Sequence, residues 1–238
     1  MTSVNKPQSA EMYPGPGFRI QRSMRRPAAA TVEMYRQFTT ADISDALNRL
    51  YTMSSEIKNQ INDEAIVGPA CTVKVFPGDN LMVHKALDIA QPGDIVVVDT
   101  SGTAATAVLG DLVASKAKYR GIQAFVVDGL IRDLPAMREV GLPVFARGIT
   151  PIGPLHRGPG EINFPINCGG IVVTPGDIVV GDRNGVVVVR GDFAEEILRR
   201  LCANREALSL YVECVKRGEF SNAWVDNILD LAGCEISE

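Results

Sequence analysis

Two hydrophobic rhythms alternate through the middle of the chain. Ile95-Val96-Val97-Val98 and Ala124-Phe125-Val126-Val127 are unbroken apolar runs of the kind that form buried strands, and Val144-Phe145 is a shorter one. Between them the spacing is helical over 104–120 and over Asp133–Val140. Upstream, residues 65–76 are β-rich, and 80–90 place Met82, Val83, Ala86 and Leu87 on one side of a helix. Strands alternating with helices predict parallel pairing under covering helices. After residue 150 the rhythm shortens: Ile171–Val173, Ile178–Val180 and Val186–Val189 read as strands joined by tight turns, hence antiparallel. Residues 192–217 and 222–232 are helical, the first ending near Gly218. Near the start, Thr39-Thr40-Ala41-Asp42 offers capping oxygens to a helix whose buried stripe is Ile43, Ala46, Leu47 and Leu50.

One stretch has an internal echo. Gln91-Pro-Gly-Asp-Ile-Val-Val-Val-Asp99 nearly returns as Thr174-Pro-Gly-Asp-Ile-Val-Val-Gly-Asp182. Pro then Gly suits the centre of a type II turn, and the Asp can accept local N–H bonds as a strand begins. The pair therefore predicts two similar turns entering core strands rather than a catalytic repeat. Residues 1–30, with Pro14-Gly15-Pro16-Gly17 and Arg22, Arg25 and Arg26, read as an extended arm. The organisation predicted is an arm over 1–30, one catalytic domain over 31–190, and a helical extension of that domain over 191–238.

Composition narrows the chemistry. The chain of 238 residues carries a formal net charge of −4 and two histidines, His84 and His156. Mild acidity argues against a nucleic-acid partner, which needs a basic face. No apolar run approaches the roughly 18 residues of a membrane span. Two histidines exclude a three-His zinc site, whereas 28 acidic residues still allow a hard cation held by oxygen. The odd set Cys71, Cys168, Cys202, Cys214 and Cys234 has no CxxC spacing, and the N-terminus has no apolar signal core. Both point to reduced thiols and a cytoplasmic protein. Cys168 and Trp224 read as packing and His156 as a loop residue; His84 reads as a helix histidine, with an approach to the site as the alternative. Lys85, Lys116 and Lys118 sit in helical patterns, which speaks against a Schiff-base lysine.

Two segments are placed to do chemistry. Ser101 to Ala114 follows a strand and is rich in small residues, so its backbone N–H groups can approach an anion at a helix start. On pattern alone a tightly packed connection is the better fit, since neither a P-loop nor GxGxxG is present. Asp128-Gly129-Leu130-Ile131-Arg132-Asp133 leaves the next strand. Its Arg-Asp pair is either a salt-bridged helix cap or a site in which Arg132 meets an oxygen anion and Asp133 a cation. The two loops leave consecutive strands and so predict one shared pocket. Such a pocket suits a small α-keto acid that chelates a divalent ion.

These residues resemble the class II pyruvate aldolases of the 4-hydroxy-4-methyl-2-oxoglutarate aldolase type, a superfamily shared with the regulator of ribonuclease E activity A. The resemblance covers roughly 39–190. It rests on Asp42-Ile-Ser-Asp45-Ala-Leu47, Gly78-Asp79-Asn80, Gly110-Asp111-Leu112-Val113-Ala114, Asp128-Gly129-x-x-Arg132-Asp133 and Gly181-Asp182-x-x-Gly185. It implies an α/β fold of stacked β-sheets with flanking helices, of swivelling β/β/α type, with mixed parallel and antiparallel strands. It also implies that the N–H groups of Gly110, Asp111, Leu112 and Val113 receive a pyruvate carboxylate, and that Arg132 contacts the keto oxygen. Asp133 would hold magnesium or manganese, and Asp111 would orient metal-bound water. Glu206 is the candidate for a catalytic Glu lent by a neighbouring subunit of a homotrimer or dimer of trimers. The implied reaction is lyase cleavage of a 4-hydroxy-2-oxo acid to pyruvate through an enolate, with oxaloacetate decarboxylation alongside.

The resemblance also names the rival, a non-catalytic regulator of a ribonuclease-type partner on the same ring-shaped fold. In that branch the metal-binding Asp after the Arg is missing. Asp133 therefore favours the enzyme. A second rival is an enzyme that keeps the metal and the Arg for another acid.

Overall fold

The computed structural model describes residues 11–102 and 105–235, apart from the side chain of Glu206. The strands are β1 (Phe18–Ile20), β2 (Lys58–Asn59), β3 (Ile66–Val75), β4 (Ile95–Asp99), β5 (Ala107–Leu109), β6 (Ala124–Ile131), β7 (Val144–Ile149), β8 (Gly160–Ile162), β9 (Ile166–Cys168), β10 (Ile171–Val173), β11 (Ile178–Asp182) and β12 (Gly185–Val189). The helices are α1 (Ala29–Met34), α2 (Thr40–Ala46), α3 (Leu81–Ala86), α4 (Asp111–Tyr119), α5 (Leu134–Val140), α6 (Ala194–Lys216) and α7 (Ala223–Ala232).

The central sheet runs β1-β8-β3-β4-β6-β7-β2, and β3, β4, β6 and β7 are mutually parallel where they adjoin. Each step between them carries a helix: α3 between β3 and β4, α4 between β4 and β6, α5 between β6 and β7. The long β3 also serves a second layer. Its first half pairs antiparallel with β11, which forms a hairpin with β12, while β9 and β10 make a separate antiparallel pair. The expected mixed, stacked α/β architecture is the one found.

Alternation along the strands builds the two faces. Val96 and Val98 of β4, with Phe125 and Val127 of β6, pack under Met82, Val83 and Ala86 of α3, Val113, Ala114 and Ala117 of α4 and Met137 of α5. Ile95, Val97, Ala124 and Val126 point the other way, against Cys168, Val173, Val179, Val186 and Val188 of the second β-layer.

The repeated Pro-Gly-Asp segments are built alike. Gly93 and Gly176 both have φ of +89°, Asp94 accepts from the Gln91 N–H and Asp177 from the Thr174 N–H, each at 2.8 Å. Asp94 is further held by Arg26 of the arm, at 2.9 and 2.7 Å.

Three expectations need correction. The helix predicted over 104–120 is interrupted: Ala107–Leu109 is β5, paired with β6, and the helix starts only at Asp111. Small β-capable residues before Gly110 let this segment join the sheet edge, so tertiary pairing overrides helix spacing. Leu50 does not extend the stripe of α2. The helix stops at Ala46, Asn48 and Arg49 take positive φ, and Leu50 is 70% exposed. Trp224, read as packing, is 58% exposed on α7.

Two compact units divide the chain at Met1–Leu198 and Arg199–Glu238. The second holds most of α6 and all of α7, and exposes Leu208, Leu210, Tyr211, Trp224, Ile228 and Leu231. Among the described residues no helix is long and apolar enough to cross a membrane.

Candidate active site

Strand β6 ends at Ile131 and delivers Arg132 and Asp133 to the start of α5. Beside it, β5 ends at Leu109 and passes through Gly110 into α4. A hydrogen bond from the Arg132 N–H to the Leu109 carbonyl, 3.1 Å long, ties the two exits together. They open into one cavity of about 270 Å³ lined by Gly110, Asp111, Leu112, Val113, Arg132 and Asp133. Leu109, Asn80, His84, Pro154 and His156 complete the lining.

Asp133 stands at the N-cap position of α5 with φ 60° and ψ 37°, left-handed backbone that Asp tolerates better than most residues. Its carboxylate makes no capping bond to that helix. Oδ2 lies 3.0 Å from Arg132 Nε and leans over Gly110, where a Cβ would collide with it. Cap and site were equal readings of the sequence. The geometry favours the site, because a carboxylate spent on capping would face its own helix. Arg132 is crowded on its other flank by Gly153, whose missing Cβ leaves room for the guanidinium.

Gly110 is the N-cap of α4 and has no side chain to bond the first N–H groups. Gly110 to Val113 line the cavity at the positive end of the helix dipole. The donor set also fits a hard cation. Asp133 and Asp111 share the cavity, and magnesium takes one or two carboxylates while keeping several waters. Among the described residues no group of three or more His, Cys, Asp or Glu forms a metal cluster, which disfavours a site closed by protein ligands alone. Glu206 lies on α6, and its side chain falls outside the described residues.

Sequence reasoning missed His156 as a lining residue, preferred a helix histidine to a site residue for His84, and met Asn80 only within the Gly78-Asp79-Asn80 motif. Asn80 and His84 are four apart at the start of α3, hence on one helix face, a spacing that was available in the sequence. His156 lies in a segment with no periodicity and is placed only by long-range bonds. The Leu155 N–H donates to the Gly78 carbonyl at 2.7 Å, the Asn80 N–H to the Leu155 carbonyl at 3.0 Å, and the Arg157 N–H to Asp79 Oδ2 at 2.5 Å.

A second charged cluster lies on β3, β4, β6 and β7. Arg147 donates to Asp128 and Glu56, Asp128 accepts from the Gly169 N–H, and Lys74 pairs with Asp99 at 2.5 Å. The Asp128 bond holds the Arg147 guanidinium above its usual pKa, and burial pushes the Cys168 thiol well up. Both effects describe a bracing network and an unreactive thiol.

The model of the Aldolase/RraA family, RraA-like, matches residues 40–188. The chain belongs to the RraA-like family. A Halalkalibacterium halodurans protein that carries 4-hydroxy-4-methyl-2-oxoglutarate aldolase as a provisional name is 44% identical over 169 residues, 71% of this chain and 80% of that one. A solved but uncharacterised Pseudomonas syringae protein superposes with TM-score 0.73 at 27% identity, covering 83% of this chain and 97% of its own. A Streptomyces coelicolor member of the RNase ES inhibitor RraA family superposes with TM-score 0.72 at 30% identity, covering 80% and 99%. This RraA-like chain thus has relatives named for an aldolase and relatives named for an inhibitor.

Proposed function

We propose that this protein is a divalent-metal-dependent lyase that cleaves short 4-hydroxy-2-oxo acids to pyruvate and decarboxylates oxaloacetate. The observation that carries the reading is the Asp133 carboxylate, unspent on its own helix and lying over Gly110 beside Arg132. The provisional names of several relatives support the same reading.

In this mechanism the substrate C1 carboxylate sits on the N–H groups at the start of α4, from Gly110 to Val113. Arg132 donates to the C2 keto oxygen. Asp133 would hold magnesium or manganese, and the cation would draw electron density from the keto group. The C3–C4 bond breaks, its electron pair moving to C2–O as an enolate while the C4 hydroxyl loses its proton and becomes a carbonyl. Protonation of C3 then gives pyruvate. Arg132 offers the developing negative oxygen a planar, fixed donor pair. Asp111 orients a water that relays the proton. The natural assembly is a homotrimer or dimer of trimers, with Glu206 of a neighbour completing the site, in the cytoplasm.

Pyruvate release from oxaloacetate and from hydroxy-keto diacids, with and without manganese, tests the reading. Chelator or Asp133→Ala is expected to cut turnover by about 10²-fold or more, the scale of losing one transition-state contact. Arg132→Lys should be similarly impaired, because a point charge cannot replace the fork. Survival of every substrate in the presence of metal-loaded protein refutes the lyase. The likeness to an RNase ES inhibitor relative favours the second reading, a regulator whose partner binding is indifferent to metal.

A further inference from the structure

The candidate cavity holds polar groups that the chemistry above leaves idle. His84, on α3, and His156 meet edge to face, with centroids 5.5 Å apart and planes at 73°. Asn80 Nδ2 donates to the Val108 carbonyl at 2.8 Å, which identifies Asn80 Oδ1 as the acceptor facing His156 Nδ1 at 2.6 Å. The proton therefore sits on Nδ1 of His156, and Nε2 is the ring atom left for a ligand. An exposed ring pinned in this way, on a backbone held from both sides by Gly78, Asp79 and Asn80, is prepared for contact rather than for solvent. His84 is half-buried, and Lys116 of α4 lies close enough to act on it. Burial first, then Lys116 and His156, push the His84 pKa down.

One keto acid needs one carboxylate subsite and one keto subsite, and the α4 start and Arg132 already supply both. We infer that His84 and His156 form a subsite for a second, distal carboxylate, so that the enzyme selects diacids over monoacids. The inference rests on the lyase reading. A second carboxylate at this place would offer the charged form of His84, which burial disfavours, a partner inside the cavity. The charged groups facing the pair are Lys116 and Asp111 from α4 and Arg132 and Asp133 from the start of α5, with Asp88 and Arg120 on the outer side of His84.

The test compares a diacid with a monoacid on the magnesium-loaded protein. Oxaloacetate cleavage probes both subsites. Deuterium exchange of the pyruvate methyl protons, read by NMR, probes the enolate chemistry without a distal carboxylate. His84→Gln, His156→Gln and the double variant are expected to raise KM for oxaloacetate about tenfold or more, the scale of one hydrogen bond to a charged group. That loss should exceed the loss in pyruvate exchange by at least tenfold, with kcat changed far less than KM. Equal losses on both substrates, or an unchanged oxaloacetate KM in the double variant, overturn the subsite. A second readout does not depend on turnover. The chain has only two histidines, so their imidazole signals can be followed directly. Added 2-oxoglutarate should raise the His84 pKa, and pyruvate should not; identical His84 titrations with both acids refute the inference. If the wild type neither exchanges pyruvate protons nor cleaves oxaloacetate, the lyase reading falls first and the subsite with it. An active wild type whose variants lose oxaloacetate cleavage and pyruvate exchange equally brings down the subsite alone.

Discussion

Gly110 concentrates the site's demands on one residue. Its φ of −145° and ψ of −162° are ordinary extended backbone, so alanine there is not strained by conformation. What alanine lacks is room, since a Cβ would strike Asp133 Oδ2 and press on the Arg132 side chain. Gly110→Ala is therefore expected to fold with a Tm within a few degrees of wild type. Its kcat/KM should nevertheless fall about 10²-fold, the penalty for displacing a positioning group by about an ångström. Thermal unfolding and pyruvate release on one preparation check both halves, and a fully active variant would show that the carboxylate has freedom to move. This residue also marks how far the sequence could be read. Gly110, Arg132 and Asp133 were legible as candidates because small, cationic and acidic residues leave two consecutive strands, although a packed connection and a salt-bridged cap use the same residue types. His156 was not, because its place depends on bonds to residues more than seventy positions away.

At the scale of elements, what was legible was whatever local chemistry enforces. Thr39 caps α2 as its sequence demanded, accepting from the Asp42 N–H while Asp42 accepts in return from the Thr39 N–H. Thr39→Ala is expected to cost about 1 kcal/mol, which for a chain of this length lowers Tm by roughly 2–4 °C. The same helix is anchored to the β11–β12 turn through Thr40, whose N–H and hydroxyl donate to Asp182 at 3.0 and 2.7 Å. Burial raises the Asp182 pKa, but the bonds from Thr40 and Asn184 outweigh it and leave the carboxyl below its ordinary value. A depressed folded pKa stabilises above the unfolded value and is lost as pH falls through the folded one. Asp182→Asn should thus lower stability at neutral pH and flatten the acid limb below about pH 4. Asp177, in the second Pro-Gly-Asp turn, has the opposite sign: burial raises its pKa despite bonds from the Gly191 and Thr174 N–H groups. Its contribution is greatest in acid and declines as pH rises through the folded value, so Asp177→Asn should remove that decline. Chemical denaturation across pH 3–7 separates the two, and parallel pH profiles for both variants would contradict the assignment. Strand β5 escaped the sequence reading because three residues beside a helix start carry too little periodicity to outvote the helix that follows.

For the whole molecule, the second unit supplies a reporter of the proposed assembly. Helix α7 spans ten residues, fewer than the 12–15 at which an isolated helix is even marginal in water, and none of its residues is buried within the chain. Trp224, Ile228 and Leu231 stand exposed along it, and Leu208, Leu210 and Tyr211 along α6. Exposed apolar surface on this scale is a liability in a monomer and ordinary at a subunit contact. Trp224 is the single tryptophan of the chain, so its emission reports the environment of α7 without competition. If the proposed trimer covers this surface, emission should be blue-shifted at micromolar concentration. It should move toward the red on dilution through the dissociation range, in step with the loss of trimer in sedimentation velocity. Leu231→Glu should shift both transitions to higher protein concentration, because the proposed contact would have to desolvate a charge. Emission that stays red while sedimentation shows a trimer would place the subunit contact elsewhere and leave α7 outside it.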